Sequence, residues 1–174
     1  MFADPTKNLK SLRLRENMIV VDLGAGTGFY SLAAAHIVTS GKVYAIEVIR
    51  DYVAVIGKKA KEAHLNNVEA IWGNVEKVGG TKVRNGLADA VIASNILFQV
   101  EDKDKFLEEI KRILKPSGEV LLIDWSDSPA AGTESHSLIT KSKAKEMFEQ
   151  KGFMFLRDID AGAHHYGMIL KKKQ

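Results

Sequence analysis

The sequence predicts an α/β domain built on a mostly parallel sheet with helices on both faces. Seven short apolar segments are separated mainly by longer stretches of helical periodicity, which is typical of strands joined by right-handed helical crossovers. The first segment, MIVVDL at 18–23, is apolar up to its aspartate, as in a strand buried on both faces. The last two segments have only a glycine-containing turn between them, so they predict a hairpin and one antiparallel strand.

The first half of the chain predicts three strands and two helices. The first strand leads through a glycine-rich turn into an alanine-rich helix, which ends at Gly41. The third strand, VEAIW, is short and ends at Gly73 and Asn74. The strands are predicted at 18–23, 42–48 and 68–72, and the helices at 29–40 and 51–65.

The second half predicts four more strands and two helices. Residues 76–88 are rich in glycine and lysine and predict no regular element. Apolar residues recur at helical spacing in 101–115 opposite charged ones, so this segment predicts an amphipathic helix. Residues 116–118, Pro-Ser-Gly, predict a turn. The strands are predicted at 89–94, 119–125, about 153–160 and 165–172, and the last helix at 141–151.

Length and composition indicate one domain, 1–174, with a short N-terminal cap segment at 1–17. The 174 residues are 45% hydrophobic, which is enough for a substantial core. The sequence contains no run of about 18 apolar residues, so it predicts no membrane span. The first residues lack the pattern of a signal peptide, and a cytoplasmic protein is therefore expected. The absence of cysteine excludes disulfides, thiolate zinc sites and a cysteine nucleophile.

The charge pattern gives little support to a nucleic-acid partner. The net charge is only +3, and the lysines lie in short clusters at 58–61, 141–145 and 171–173. We interpret these clusters as solvated surface, and a nucleic-acid patch is the alternative.

The segment VVDLGAGTGFYS, at 20–31, carries the strongest functional signal. Gly24, Gly26 and Gly28 occupy every second position directly after Asp22. In a parallel α/β sheet, ligands bind beyond the carboxyl ends of the strands, where the first strand turns into its helix. Glycines at that point permit a tight turn and let a ligand lie on the backbone. The segment therefore predicts a cofactor loop.

The spacing of the glycines argues against a dinucleotide. That fingerprint places its third glycine three positions after the second, where this chain has Phe29. The carboxylate of Asp22 would also repel a diphosphate, whereas it suits a cationic amino or sulfonium group. On these residues the chain resembles the class I S-adenosylmethionine-dependent methyltransferases. In that family the glycine loop, here Asp22, Gly24, Ala25, Gly26, Gly28 and Phe29, cradles the amino-acid and ribose parts of the cofactor.

The resemblance extends from about Met18 to the C-terminus and implies further cofactor contacts. Glu47, at the end of the second strand, would accept both ribose hydroxyls, and Val48 would pack on the adenine. Asn74, where the family typically has aspartate, and Val75 would contact the adenine edge. Ser94 and Asn95 would lie at the methionine end. The family's sheet has the order 3-2-1-4-5-7-6 with strand seven antiparallel, and its Leu-Lys-Pro-Gly-Gly turn corresponds to 114–118, with Ser117 replacing one glycine.

The methyl acceptor is not identified by any motif. The strand-four segment and the 114–118 turn most resemble a branch that includes quinone-biosynthesis enzymes, which favours a small or mid-sized molecule. Only about seventeen residues precede the first strand, so an open acceptor site is expected. An RNA or protein methyltransferase, and a non-catalytic cofactor-binding module that needs a partner, remain the alternatives. Oligomeric state is left open.

The residues most suited to the acceptor side are His164, His165 and Tyr166 in the hairpin, because histidine titrates near neutrality and tyrosine can orient a hydroxyl. Since adjacent strand residues face opposite ways, either His164 and Tyr166 or His165 alone can face the site. The alternative is that they are ordinary polar hairpin residues. The loops after strands five and six also supply Asp124, Trp125 and His136, and no ligand spacing predicts a metal site.

Overall fold

The computed structural model describes residues 4–126 and 138–173. Its seven strands form one sheet with the order β3-β2-β1-β4-β5-β7-β6, which confirms the predicted fold class and order. The strands are β1 (Ile19–Leu23), β2 (Lys42–Glu47), β3 (Val68–Trp72), β4 (Ala88–Ser94), β5 (Leu114–Trp125), β6 (Phe153–Ile159) and β7 (His165–Lys172). The α-helices are α1 (Pro5–Leu9), α2 (Phe29–Ala35), α3 (Arg50–Glu62), α4 (Lys103–Ile113) and α5 (Lys141–Gln150).

The sheet is parallel from β3 to β5 and antiparallel at β7. β1 lies in its centre, where Val21 pairs with Tyr44 of β2 on one side and with Val91 of β4 on the other. β7 runs antiparallel to both β5 and β6, as the hairpin predicts. The carboxyl ends of β1 to β5 therefore meet at one edge of the sheet, and the functional site lies at this edge.

Two apolar clusters cover the two faces of the sheet. One contains Phe106 and Ile110 of α4 together with Phe148 of α5. The other contains Leu9 of α1 and Ala34 of α2. Successive strand residues point into opposite clusters, so the continuous apolar runs in the sequence reflect burial on both faces.

Helix α2 is shorter than predicted, ending at Ala35 instead of continuing to 40. The side-chain amide of Asn67, just before β3, donates to the carbonyl oxygens of Ala35 and Val38, both at 2.9 Å. These bonds satisfy carbonyls that a continuing helix would have used, so the chain can leave the helix early and turn into β2.

The predicted turn at 116–118 lies inside a longer strand. β5 begins at Leu114, which pairs with Ala88, but the next pair is Glu119 with Ala90. Four residues of β5 therefore lie opposite Asp89 alone, and they form a bulge. The carboxylate of Asp89 accepts hydrogen bonds from Lys115 Nζ at 2.6 Å and from the backbone N–H of Ile19 at 2.8 Å. The prediction of a turn at 116–118 was therefore wrong: these residues form a bulge within β5, which begins at Leu114 and not at 119.

The N-terminal segment folds onto the same face of the sheet as α2. After α1, residues Lys10–Leu12 form a 3-10 turn, and Leu9 and Leu12 are buried. Asn8 is also buried and donates from Nδ2 to the hydroxyl of Tyr30 at 2.9 Å. A surface ion pair between Lys7 and Asp160, 2.6 Å apart, joins the segment to the end of the hairpin. The predicted cap segment is therefore a docked part of the fold.

Candidate functional site

A cavity of about 510 Å³ lies at the carboxyl edge of the sheet, within the size range of small-molecule sites. It extends over the ends of β1 to β4. Its walls come from the glycine loop, the β2–α3 connection, the segment after β3 and the segment between β4 and α4. The lining residues are Gly24, Gly26, Ile46, Glu47, Val48, Ile49, Tyr52, Gly73, Asn74, Val75, Glu76, Asn95, Ile96, Gln99, Val100 and Glu101.

The glycine loop forms one wall, and two of its glycines have different roles. Gly24 and Gly26 have φ angles of +68° and +55°, which L side chains rarely adopt. A Cβ on Gly24 would lie 2.2 Å from the Cδ1 of Ile96, so this glycine permits close packing within the protein. A Cβ on Gly26 would meet nothing within 4 Å, although Gly26 lines the cavity. The backbone at Gly26 is therefore open to a ligand.

Glu47 joins two walls of the cavity through backbone amides. Its side chain is 6% exposed, and Oε2 accepts a hydrogen bond from the N–H of Gly26 at 2.9 Å. Oε1 accepts from the N–H groups of Val48 and Ile49, each at 2.9 Å. A carboxylate offers about four acceptor positions, so Glu47 can accept one more hydrogen bond while it holds the loop.

Asp22 is buried beneath the loop and does not line the cavity. One of its carboxylate oxygens accepts a hydrogen bond from the hydroxyl of Ser31 at 2.6 Å. Burial raises the pKa of Asp22 to about 6, with the negative charge of Glu47 contributing in the same direction. Of the other loop residues predicted as contacts, Ala25, Gly28 and Phe29 also lie outside the lining, and Phe29 is 72% exposed.

The wall after β3 contains Asn74 and Val75, as predicted. The side-chain Oδ1 of Asn74 accepts a hydrogen bond from the N–H of Glu76 at 2.8 Å. Its backbone N–H donates to the carbonyl of Gly80 at 3.1 Å. The acceptor oxygen of this side chain is therefore engaged within the loop, whereas its NH₂ group makes no protein hydrogen bond among the described residues.

The wall after β4 contains a strained residue. Asn95 has a φ of +54°, which is uncommon for a residue other than glycine and is a form of strain that recurs at functional sites. Its carbonyl oxygen accepts a hydrogen bond from Gln99 Nε2 at 2.7 Å. Its buried Oδ1 has no partner among the described residues, and neither has the hydroxyl of Ser94, which does not line the cavity.

The charge of the cavity indicates the kind of ligand that it accepts. Among the described residues, its lining includes three carboxylates, Glu47, Glu76 and Glu101, and no lysine, arginine or histidine. A polyphosphate would find no cation there, whereas a ligand with cationic groups would be attracted. The spacing argument against a dinucleotide and the electrostatics of the cavity therefore agree.

Sequence reasoning missed about half of the lining. These residues flank the recognised motifs: Ile46, Ile49, Tyr52, Glu76, Gln99, Val100 and Glu101. Tyr52 lies one turn into α3, and 99–101 lie just before α4. A rule that every residue within one helical turn of a strand's carboxyl end is a candidate would have included Ile46, Ile49 and Glu76. Tyr52 and residues 99–101 lie five to seven positions beyond a strand end, so it would have missed them.

The hairpin residues His164, His165 and Tyr166 are not among the lining residues of the cavity. His165 is buried and pairs with Trp125 across β5 and β7, with ring centroids 4.2 Å apart. Tyr166 is buried on the opposite face and pairs with Asp124. Burial lowers the pKa of His165, and the neighbouring imidazole of His164 acts in the same direction. Among the described residues, neither ring nitrogen of His165 has a hydrogen-bond partner.

Asp124 of β5 contacts the segment that follows β4. It is 1% exposed and accepts hydrogen bonds from the N–H groups of Phe98 at 3.2 Å and Trp125 at 2.8 Å. Burial raises its pKa to about 6. His136 lies outside the described residues. Within 4–126 and 138–173, no group of three or more histidine, aspartate or glutamate side chains could hold a metal ion.

Four of the nine lysines in the clusters at 58–61, 141–145 and 171–173 form surface ion pairs among the described residues. Lys58 lies 3.9 Å from Glu62, Lys143 lies 3.0 Å from Glu146, and Lys145 neighbours Glu149. Among the helices in the described part of the chain, none has the length and apolar character to cross a membrane.

Comparison with known proteins agrees with the geometry of the site. The family described as a methyltransferase domain matches residues 14–152. A demethylmenaquinone methyltransferase from Listeria welshimeri is 28% identical over 204 residues, an alignment that covers 97% of this chain and 84% of that protein. Human arsenite methyltransferase is 31% identical over 117 residues, which cover 63% of this chain and 31% of the human protein.

A solved structure shows the same architecture. A SAM-dependent methyltransferase from Aquifex aeolicus superposes with a TM-score of 0.88 at 29% identity, over 97% of this chain and 89% of that one. The family match, the strand order and the glycine loop at the carboxyl edge all lead to one assignment. The chain belongs to the class I S-adenosylmethionine-dependent methyltransferases.

Proposed function

We propose that the carboxyl-edge cavity binds S-adenosylmethionine and that the methyl group passes to a small molecule. The proposal that the cavity binds this cofactor rests on its acidic lining, which combines three glutamates with an open backbone at Gly26. S-Adenosylmethionine carries a sulfonium and an ammonium group, and both fit a cavity in which the charged lining groups of the described residues are all carboxylates.

Each wall has a part of the cofactor that suits its chemistry. Glu47 has acceptor capacity left for a ribose hydroxyl, and Val48, Ile49 and Tyr52 offer an apolar surface to the adenine. The free Oδ1 of Asn95 is a neutral acceptor that suits the ammonium group at the methionine end. Asp22 would act on the loop through Ser31 and through its charge, without direct contact.

The chain's own residues mainly have to position the acceptor and exclude water. S-Adenosylmethionine supplies an electrophilic methyl group, so a well-placed nucleophile needs little further activation. Apolar residues of the wall after β4, such as Ile96 and Val100, restrict water at the cavity. A poorly acidic nucleophile would need a base. We propose His165 for that role, because burial lowers the pKa of its imidazole and neither ring nitrogen has a hydrogen-bond partner among the described residues.

A small acceptor is supported over RNA by two observations. The acidic cavity would repel a phosphate backbone, and Lys58, Lys143 and Lys145 form surface ion pairs with neighbouring glutamates. The names of the relatives also describe small acceptors, a quinone in one case and arsenite in the other. This chain contains no cysteine, so arsenic chemistry that depends on cysteine thiolates is not available to it.

The acceptor class can be tested with radiolabelled S-adenosylmethionine and cell extract. After incubation with the protein, label should appear in the small-molecule fraction. Label confined to RNA or protein would refute the small-acceptor proposal, and no transfer to any fraction would favour a module that needs a partner.

The role of the hairpin requires a separate test. We expect that H165A keeps the affinity for S-adenosylhomocysteine and lowers turnover by about 10²–10⁴ if the imidazole is the base. H164A should have a smaller effect, and H64A, at an exposed histidine distant from the carboxyl edge, serves as the control. Full turnover of the H164A/H165A double variant would show that the hairpin is not part of the acceptor side.

A further inference from the structure

A further buried carboxylate outside the cavity, that of Glu109, accepts more hydrogen bonds than any other acid described above. Glu109 of α4 has no exposed surface, and it contacts the loop that follows β3. Oε2 accepts hydrogen bonds from the N–H of Gly79 and from Arg112 Nε, both at 2.7 Å. Oε1 accepts from Arg112 Nη2 at 2.7 Å, from the N–H of Thr81 at 3.2 Å and from the Thr81 hydroxyl.

The loop that Glu109 holds is the one that builds a cavity wall. The carbonyl of Gly80, between the two amides that Glu109 binds, accepts the N–H of Asn74 at 3.1 Å. The same carbonyl oxygen would lie 2.7 Å from a Cβ on Gly73, so the two segments are in close contact. Residues 73–76 line the cavity, whereas 79–81 lie behind them. A shift at 79–81 would therefore move the wall.

A further contact links this wall to the opposite one. The side chain of Glu76 accepts a hydrogen bond from the N–H of Glu101 at 3.0 Å, and both residues line the cavity. The position of Glu76 depends in turn on Asn74, whose Oδ1 accepts its N–H. The contacts from Glu109 through Gly80 and Asn74 therefore reach both sides of the cavity.

We propose that Glu109 is a positioning residue for the cofactor site: it fixes residues 79–81, and through them the wall at 73–76, in the conformation that binds the adenosyl group. This inference rests on the proposed function. Arg112 completes the arrangement, because it supplies the opposite charge and also donates to Asn85 at 2.6 Å, which anchors the end of the same loop.

The chemistry of the contact explains why a carboxylate is needed. Five donors converge on its two oxygens, so a glutamine would place an NH₂ group against either the Gly79 or the Thr81 amide. Burial raises the pKa of Glu109, but the hydrogen bonds from Arg112, Thr81 and Gly79 outweigh it and hold the pKa below its usual value. The side chain therefore stays ionised at neutral pH and keeps its full acceptor capacity.

The test compares E109Q with E108Q. Glu108 lies on the same helix but is exposed and pairs with Lys151 at 3.0 Å, so its variant controls for the loss of an acid. Calorimetry with S-adenosylhomocysteine should show an affinity about tenfold weaker for E109Q and unchanged for E108Q. Amide hydrogen exchange without ligand should accelerate at 74–81 in E109Q and stay unchanged in β1 and β4.

A purely structural role would give a different result. In that case exchange would accelerate throughout the sheet, and the folded E109Q protein would bind S-adenosylhomocysteine as tightly as the wild type. Either observation would overturn the proposal. If E109Q does not fold, T81V is the alternative variant, because it removes one hydroxyl donor to the same carboxylate. Calorimetry and hydrogen exchange on T81V then test the proposal, and we expect an affinity about threefold weaker.

The two proposals can fail separately. Wild-type protein that does not bind S-adenosylhomocysteine would refute the proposed function. The exchange measurement needs no ligand, so it would still show whether Glu109 controls the conformation of the 74–81 segment.

Discussion

Replacing Glu47 separates its observed contacts with the loop from its proposed contact with the ribose. In E47A, the N–H groups of Gly26, Val48 and Ile49 lose their common acceptor. Hydrogen bonds to a charged group contribute about 1.5–3 kcal/mol each, and water can replace part of this loss at the cavity mouth. A ribose contact of the same size corresponds to an affinity for S-adenosylhomocysteine about 10- to 150-fold weaker.

E47Q is the more informative variant, because it keeps the shape of the side chain. One amide oxygen can still accept from Val48 and Ile49, but the NH₂ group then faces the donor of Gly26. We expect E47Q to lose most of the affinity that E47A loses, while its thermal stability falls less. Calorimetry and thermal unfolding measure the two effects. E69Q, at an exposed acid that pairs with Lys42 on the same sheet, is the control. Unchanged affinity in both Glu47 variants would show that Glu47 does not contact the cofactor.

Two further changes test the neighbourhood of the loop. Since burial raises the folded pKa of Asp22 to about 6, above an unfolded value of about 3.9, its contribution to stability is lost as the pH rises from about 4 to 6. Between pH 4 and pH 7, the free energy of unfolding of D22N should therefore rise by up to about 3 kcal/mol relative to that of the wild type, as measured by urea unfolding. An equal pH dependence of the two proteins would contradict the raised pKa of Asp22. G26A should lose affinity for S-adenosylhomocysteine with a stability cost of only about 1–2 kcal/mol, because the new Cβ meets no protein atom. G24A should also disturb the side chain of Ile96. Equal affinity of G26A and wild type would show that the ligand does not approach the backbone at Gly26.

The elements with strong periodicity were predicted well, whereas the ends that depend on contacts distant in sequence were not. β3 was predicted with its observed bounds, because Gly73 follows it directly and a turn precedes it. The end of α2 depends on Asn67, more than thirty residues away, and no local pattern contains that contact. The start of β5 likewise depends on pairing with Ala88 across a bulge.

The residues that line the cavity were easier to predict than the residues that hold its walls in place. Gly24, Gly26, Glu47, Val48, Asn74, Val75 and Asn95 were predicted from motifs at strand ends and line the cavity. Asp22 was predicted as a direct contact, but the structure shows it buried against Ser31, since its side chain points to the α2 face. Glu109 and Asp124 act through backbone amides of other segments, and such contacts become visible only in three dimensions.

Isothermal titration calorimetry of the wild-type protein with S-adenosylhomocysteine and with NAD tests the assignment of the cavity most directly. The glycine spacing and the three glutamates without a cation predict that S-adenosylhomocysteine binds and that NAD gives no binding at the same concentrations. Binding of NAD as tight as that of S-adenosylhomocysteine would contradict the account.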